Sequence, residues 1–121
     1  MEAKAMLKRA AVAVEGDEKA ALKSFTAGTD GFKDRDLYVF CAGPDGKMTA
    51  HGANAKLVGR NFCAFVDRSG KRFGQEMCSN ANRTIKTVDY MWPRPGETAP
   101  SHKASYYTKA GRQICGVGFY K

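Results

Sequence analysis

Leu37-Tyr38-Val39-Phe40-Cys41 runs directly into Ala42-Gly43-Pro44-Asp45-Gly46. The first five residues are β-branched, aromatic or otherwise apolar, side chains that fit a pleated, half-buried surface. The next five place a proline, which presets φ, close to a glycine, which accepts positive φ. The pair predicts a β-hairpin whose return strand, about 47–51, is a short and more polar edge strand ending at His51.

Upstream of this hairpin, Ala3, Met6, Leu7, Ala10, Ala11 and Val14 recur at offsets of three and four, the stripe of an amphipathic helix that stops at Gly16. Asp17 is a fitting N-cap for a second short helix carrying Ala21, Leu22 and Phe25. Gly28 and Gly31 break that pattern, and a loop is predicted to about Arg35.

Downstream, 52–61 has no period and reads as a crossing loop, with a short apolar helical turn at Phe62, Cys63, Phe65 and Val66. After a turn at Asp67-Arg68-Ser69-Gly70, Phe73, Met77, Ala81 and Ile85 fall four apart, the spacing of a further helix. Thr87-Val88-Asp89-Tyr90-Met91-Trp92 alternates, so Val88, Tyr90 and Trp92 share one face of a strand that Pro93 and Pro95 end. Strands over about 102–108 and 113–120, joined at Ala110-Gly111, complete a three-stranded meander.

At 121 residues the chain, 1–121, reads as one unit able to bury its own core. No apolar run approaches the length that crosses a bilayer, and the first residues have no signal-peptide character. The net charge of +8 suits an anionic partner, whether nucleic acid, membrane surface or small acid. Its lysines and arginines are scattered, however, and form no block of the kind a nucleic-acid tail shows. Four cysteines, at 41, 63, 78 and 115, contain no C-x-x-C pair, and two histidines accompany them, which argues against a zinc site of usual spacing. Disulfides and buried free thiols both remain open at this point.

Particular residues go further. Asp36-Leu37-Tyr38-Val39-Phe40, Asp45-Gly46-Lys47 with Ala50-His51, Leu57-Val58-Gly59-Arg60-Asn61, Asp67 with Gly70-Lys71, and Phe73-Gly74-Gln75-Glu76 stand in that order. Tyr90-Met91-Trp92-Pro93, Lys103-Ala104-Ser105-Tyr106 and Gly116-Val117-Gly118-Phe119-Tyr120 follow. The ordered set resembles the single Cache domain, from about Ala5 to Tyr120. The resemblance implies a PAS-like α+β fold, with an N-terminal helix packed on an antiparallel sheet of about five strands and short crossing helices. It also implies extracytoplasmic sensing of a small molecule, often a short organic acid, with no catalysis and no cofactor. The chain resembles the free-standing exported kind, periplasmic or secreted, with a leader already removed and a membrane-bound signalling partner. The implied compartment favours disulfides. In the implied sheet the first and last main strands are antiparallel neighbours, which sets Cys41 opposite Cys115 and leaves Cys63 with Cys78.

The resemblance also implies a ligand between one sheet face and its covering helices. Tyr38 and Phe40 share parity on one strand, Tyr90 and Trp92 on another, and Lys103 opens the next as the residue for an anion. Alternation adds Tyr107 to the face of Lys103, whereas the resemblance picks out Tyr106, which alternation sends to the opposite face. His51 supplies a donor from the edge strand. Each residue has an ordinary explanation too: inward tyrosine and tryptophan as core, a solvated lysine, and a histidine serving nearby backbone groups.

Three other functions compete with sensing. An enzyme needs a nucleophile and base, paired carboxylates or a metal cluster, and none stands at recognisable spacing. Nucleic-acid binding lacks a motif and a basic stripe, so no nucleic-acid partner is expected. A structural or protein-interaction module would fill the pocket with its own side chains and pair copies, as a homodimer, through the first helix.

Overall fold

The computed structural model describes residues 2–121. Two helices open the chain, α1 (Glu2–Gly16) and α2 (Glu18–Ala27). The Asp17 carboxylate caps α2 by accepting from the Ala20 N–H at 3.2 Å. Gly28 closes α2 in the left-handed conformation, at φ 72°. The strands are β1 (Lys33–Asp34), β2 (Leu37–Ala42), β3 (Met48–His51), β4 (Lys86–Pro93), β5 (Pro100–Ala110) and β6 (Gln113–Tyr120). Two 3₁₀ turns, Ala55–Leu57 and Phe62–Ala64, and the helix α3 (Phe73–Asn80) connect β3 to β4.

All strand pairings are antiparallel, in the order β1-β2-β6-β5-β4, with β3 pairing along the same edge of β2 as β1. The sixth strand, β1, lies in the stretch read as loop. It is only two residues long, and Arg35, at φ 55°, turns it back onto β2. The return strand β3 is more buried than an edge strand implies: Met48, Ala50 and His51 are all buried, Met48 in the core that holds Phe62 and Ala50 in the opposite core with α1 and α2.

Strand alternation divides two cores across the sheet. Leu37, Val39 and Cys41 of β2 join Val117 of β6 and the stripe Ala3, Met6, Leu7, Ala10 and Val14 of α1. Tyr38, Phe40 and Ala42, pointing the other way, join Phe62, Phe73, Met77, Val88, Tyr90 and Tyr107. All six β2 residues are therefore buried. Exposed residues of α1 include Glu2, Lys4, Lys8, Arg9 and Glu15, with Val12 at 70% exposure. No continuous apolar stripe is left on that side.

α3 ends at Asn80, not near Ile85 as the spacing of four predicts. Ala81 has extended backbone, and the Asn82 side chain accepts from the Thr84 N–H at 2.8 Å. Such a local turn competes with helix continuation. Ile85 consequently packs against the opposite core.

Cys41 is the register partner of Cys115 and bridges to it, at a Cα separation of 4.1 Å. Cys63 bridges to Cys78. Both bridges match the pairing implied by the resemblance.

Candidate functional site

Three strands bring Tyr90, Lys103 and Tyr120 into one row, since Lys103 is the register partner of Tyr90 on β4 and of Tyr120 on β6. Side chains at the same level of adjacent strands face the same way, so the row defines one face of the sheet. Tyr38 and Phe40 of β2 and Trp92 of β4 extend it. The 3₁₀ turn at Phe62–Ala64, Phe65 and the first turn of α3 form the lid. Aromatic contacts bind lid to floor: Phe73 stacks on Tyr90 at 4.1 Å between centroids, and Phe65 on Trp92 at 6.1 Å.

The pocket between lid and floor is lined by Tyr38, Phe40, Met48, His51, Phe62, Phe65, Phe73, Tyr90, Trp92 and Lys103. Its free space, about 10 Å³, has room for roughly one water molecule. A groove of about 390 Å³ adjoins it through the shared residues Tyr38, His51 and Trp92, and continues along Arg94, Pro95, Gly96 and Glu97.

Lys103 is 2% exposed. Its Nζ donates to the Tyr38 hydroxyl at 2.8 Å and lies 4.4 to 5.7 Å from the ring centroids of Tyr38, Phe40, Tyr90 and Tyr120. Ring faces attract a cation, but they do not replace a counter-ion. None of the pocket-lining residues is acidic. Burial consequently lowers the pKa of Lys103 to about 7. Burial pushes the Tyr38 and Tyr90 hydroxyls upwards and raises Tyr120 to about 12, so all three rings stay protonated at neutral pH.

The long lysine side chain reaches β2 because β6 offers no side chain in its way. A Cβ on Gly118 would stand 2.3 Å from Lys103 Cε and 2.5 Å from Ser105 Oγ. One on Gly116 would stand 2.5 Å from the Phe40 ring. Ser105 in turn shares a 2.9 Å hydrogen bond with the Tyr90 hydroxyl.

His51 serves backbone and pocket together. Its Nδ1 accepts from the N–H groups of Ala53 at 3.2 Å and Asn54 at 2.9 Å. The neutral ring therefore carries its proton on Nε2. Burial first, then the charges of Lys103 and Lys33, lowers its pKa to about 3.

Tyr38, Phe40, His51, Tyr90, Trp92 and Lys103 are thus brought together. Tyr107 is on the same face and in the same core but does not line the pocket. Tyr106 is on the opposite face, 5.9 Å from Phe119, against the helix-side core. That placement corrects its inclusion among the pocket residues: period-two alternation outweighs the motif. Sequence reasoning missed Tyr120, whose hydroxyl donates to the Pro93 carbonyl at 2.7 Å, and the lid residues Phe62, Phe65 and Phe73. The parity of Tyr120 with Gly116 and Gly118 was the available signal.

Comparison with known proteins gives the arrangement a family. The methyl-accepting chemotaxis protein McpP of Pseudomonas putida is 36% identical over 77 residues, 61% of this chain. The chain spans only 14% of that relative's length. A methyl-accepting chemotaxis protein of Vibrio parahaemolyticus has a solved structure that superposes with a TM-score of 0.80 at 20% identity, covering 98% of this chain and 86% of the other. A Cache chemosensory domain whose structure is described in terms of carboxylic acid recognition gives 0.77 at 22% identity, covering 98% and 90%. These two structures establish the shared fold. The family model described as Single Cache domain 2 matches residues 8–115, and the chain belongs to that family.

Proposed function

We propose that this chain is an extracytoplasmic sensing module that binds a small carboxylate on Lys103 and performs no chemistry. The observation that carries the reading is a fully buried lysine facing aromatic rings without an acidic partner. Maintaining an unpaired ammonium there is costly, and an incoming carboxylate relieves the cost by supplying the missing charge. Tyr38, Tyr90 and Trp92 give the ligand shape, and His51 Nε2–H offers a second donor. The chemotaxis relatives and the carboxylic acid recognised by a domain of the same fold support this choice of ligand class. A membrane-bound receptor or kinase is the fitting partner to read the occupied state.

The small free space favours a second reading, in which the domain fills its own pocket and acts as a structural module. Thermal melting against short carboxylates, amino acids, purines and polyamines separates the two, because a ligand that binds only the native state raises the melting temperature. A saturable rise with acetate or propionate, abolished in Lys103→Met, supports the sensor. A carboxylate response that persists unchanged in Lys103→Met removes the lysine from its role. No response across the panel favours the self-filled module.

A further inference from the structure

The Cys63–Cys78 bridge covalently joins the two halves of the lid. Cys63 belongs to the 3₁₀ turn that carries Phe62, and Cys78 to α3, which carries Phe73 and Met77. The two disulfides differ in access. Cys41 and Cys115 have no exposed surface, whereas Cys63 and Cys78 are partly exposed.

The lid bridge also has clefts beside it. One of about 410 Å³ is lined by both cysteines together with Arg83, Lys109 and Arg112. A second, of about 360 Å³, is lined by Cys63 with Val66, Arg72 and Gln75. Neither lining contains an acidic residue, although Glu15 and Glu18 lie close enough to pair with Arg83 and Arg112. Clefts lined by one sign of charge raise the local concentration of the opposite ion. Thiol–disulfide exchange proceeds by a thiolate reaching a sulfur, so charge and access act together on the rate.

We propose that Cys63–Cys78 is a modification site for anionic low-molecular-weight thiols, and that exchange there loosens the lid over the Lys103 pocket. Cys63 borders both clefts and is the sulfur attacked. The incoming thiolate sulfur bonds to Cys63 Sγ as the Sγ–Sγ bond breaks. The electron pair leaves on Cys78 as a thiolate, which takes a proton from water. A second thiolate, attacking the small-molecule sulfur of the mixed disulfide, forms the small-molecule disulfide and expels Cys63 as a thiolate, which takes a proton from water. The two halves of the lid are then held to each other by packing and by the Gly74 N–H donating to the Phe65 carbonyl at 3.3 Å, and the lid stays on the floor through contacts that include the Phe65–Trp92 stack.

That stack provides a readout independent of any ligand, because Trp92 is the single tryptophan of the chain. The intact protein is treated with glutathione, and with 2-mercaptoethanol, which has no carboxylate, as comparison, while Trp92 emission is followed and adducts are mapped by mass spectrometry. The expected result is a glutathione adduct on Cys63, an unmodified Cys41–Cys115 bridge, and a Trp92 emission change with the same time course. The charge-reversing double variant Lys109→Glu/Arg112→Glu is expected to slow glutathione several-fold at low salt and 2-mercaptoethanol, whose thiolate carries a single negative charge, by clearly less. A Cys63→Ser/Cys78→Ser variant should show the altered emission from the outset. Modification of the core bridge at an equal rate, an adduct without any Trp92 change, or equal charge sensitivity for the two thiols would overturn the proposal. Since acetate is not a reagent in this assay, failure of the carboxylate reading leaves its outcome intact.

Discussion

Lys103 reaches the Tyr38 hydroxyl, 2.8 Å away on a strand not adjacent to its own, by lying across Gly118. β6 separates β5 from β2 in the sheet, so a side chain at position 118 would occupy the path. Gly118→Ala is expected to displace Lys103 and destabilise the domain by about 1–3 kcal/mol, the usual cost of overpacking a filled core. Urea unfolding measures the stability, and acetate titration measures the site. Wild-type behaviour in both would show that the lysine has another route.

The pH dependence of Lys103 follows from its burial. In the unfolded chain the ammonium titrates near 10.5, and in the folded domain at about 7. Between those values the unfolded state binds the extra proton, so stability rises with pH, by at most about 1.4 kcal/mol per pH unit. Urea unfolding from pH 7 to 9 should show this slope in the wild type and a flatter one in Lys103→Met. A carboxylate needs the protonated form, so the apparent Kd for acetate should rise about tenfold from pH 6 to pH 8. A flat profile would place the acid elsewhere.

His51 accepts two backbone N–H groups through Nδ1. His51→Phe keeps the ring but strands both donors, at an expected cost of about 1–3 kcal/mol. His51→Asn retains an acceptor near the same place and should recover part of the loss. Amide exchange at Ala53 and Asn54 distinguishes this explanation from a general packing defect: only His51→Phe should accelerate it strongly. In the wild type the histidine also removes stability as pH falls from about 6.5 towards 3, because the unfolded ring protonates first.

The buried bridge joins residues 74 apart in sequence. In the chain-entropy account, a loop of that length is worth about 4 kcal/mol. Cys41→Ala/Cys115→Ala should therefore lower the unfolding free energy by about 2–5 kcal/mol while preserving the circular dichroism spectrum. A loss below about 1 kcal/mol would mean that the β2–β6 ladder holds the same register unaided.

Alternation made most of the fold and half of the site legible. The buried parities of β2, β4 and β5 follow from residues such as Tyr38, Phe40, Tyr90, Trp92 and Lys103, because a strand has only two faces. The end of α3 was hidden, since Ala81 and Ile85 continue a helical spacing that a local Asn82 turn interrupts. The lid aromatics were visible as apolar residues, but their partners across the sheet depend on tertiary packing. Gly116 and Gly118 were least legible: a glycine inside a strand ordinarily weakens it, and here the missing side chains make room for Phe40 and Lys103. The cysteine pairs required the strand order, which spacing alone does not supply.

β2 is buried on both faces and hydrogen-bonded along both edges, with Tyr38 turned to the lysine and its neighbours Leu37 and Val39 turned to the helices. Close-packed interiors transmit strain. An anion that drew Lys103 from Tyr38 would therefore disturb a wall shared by two compartments, and the helix layer on its far side is one peptide bond away along β2.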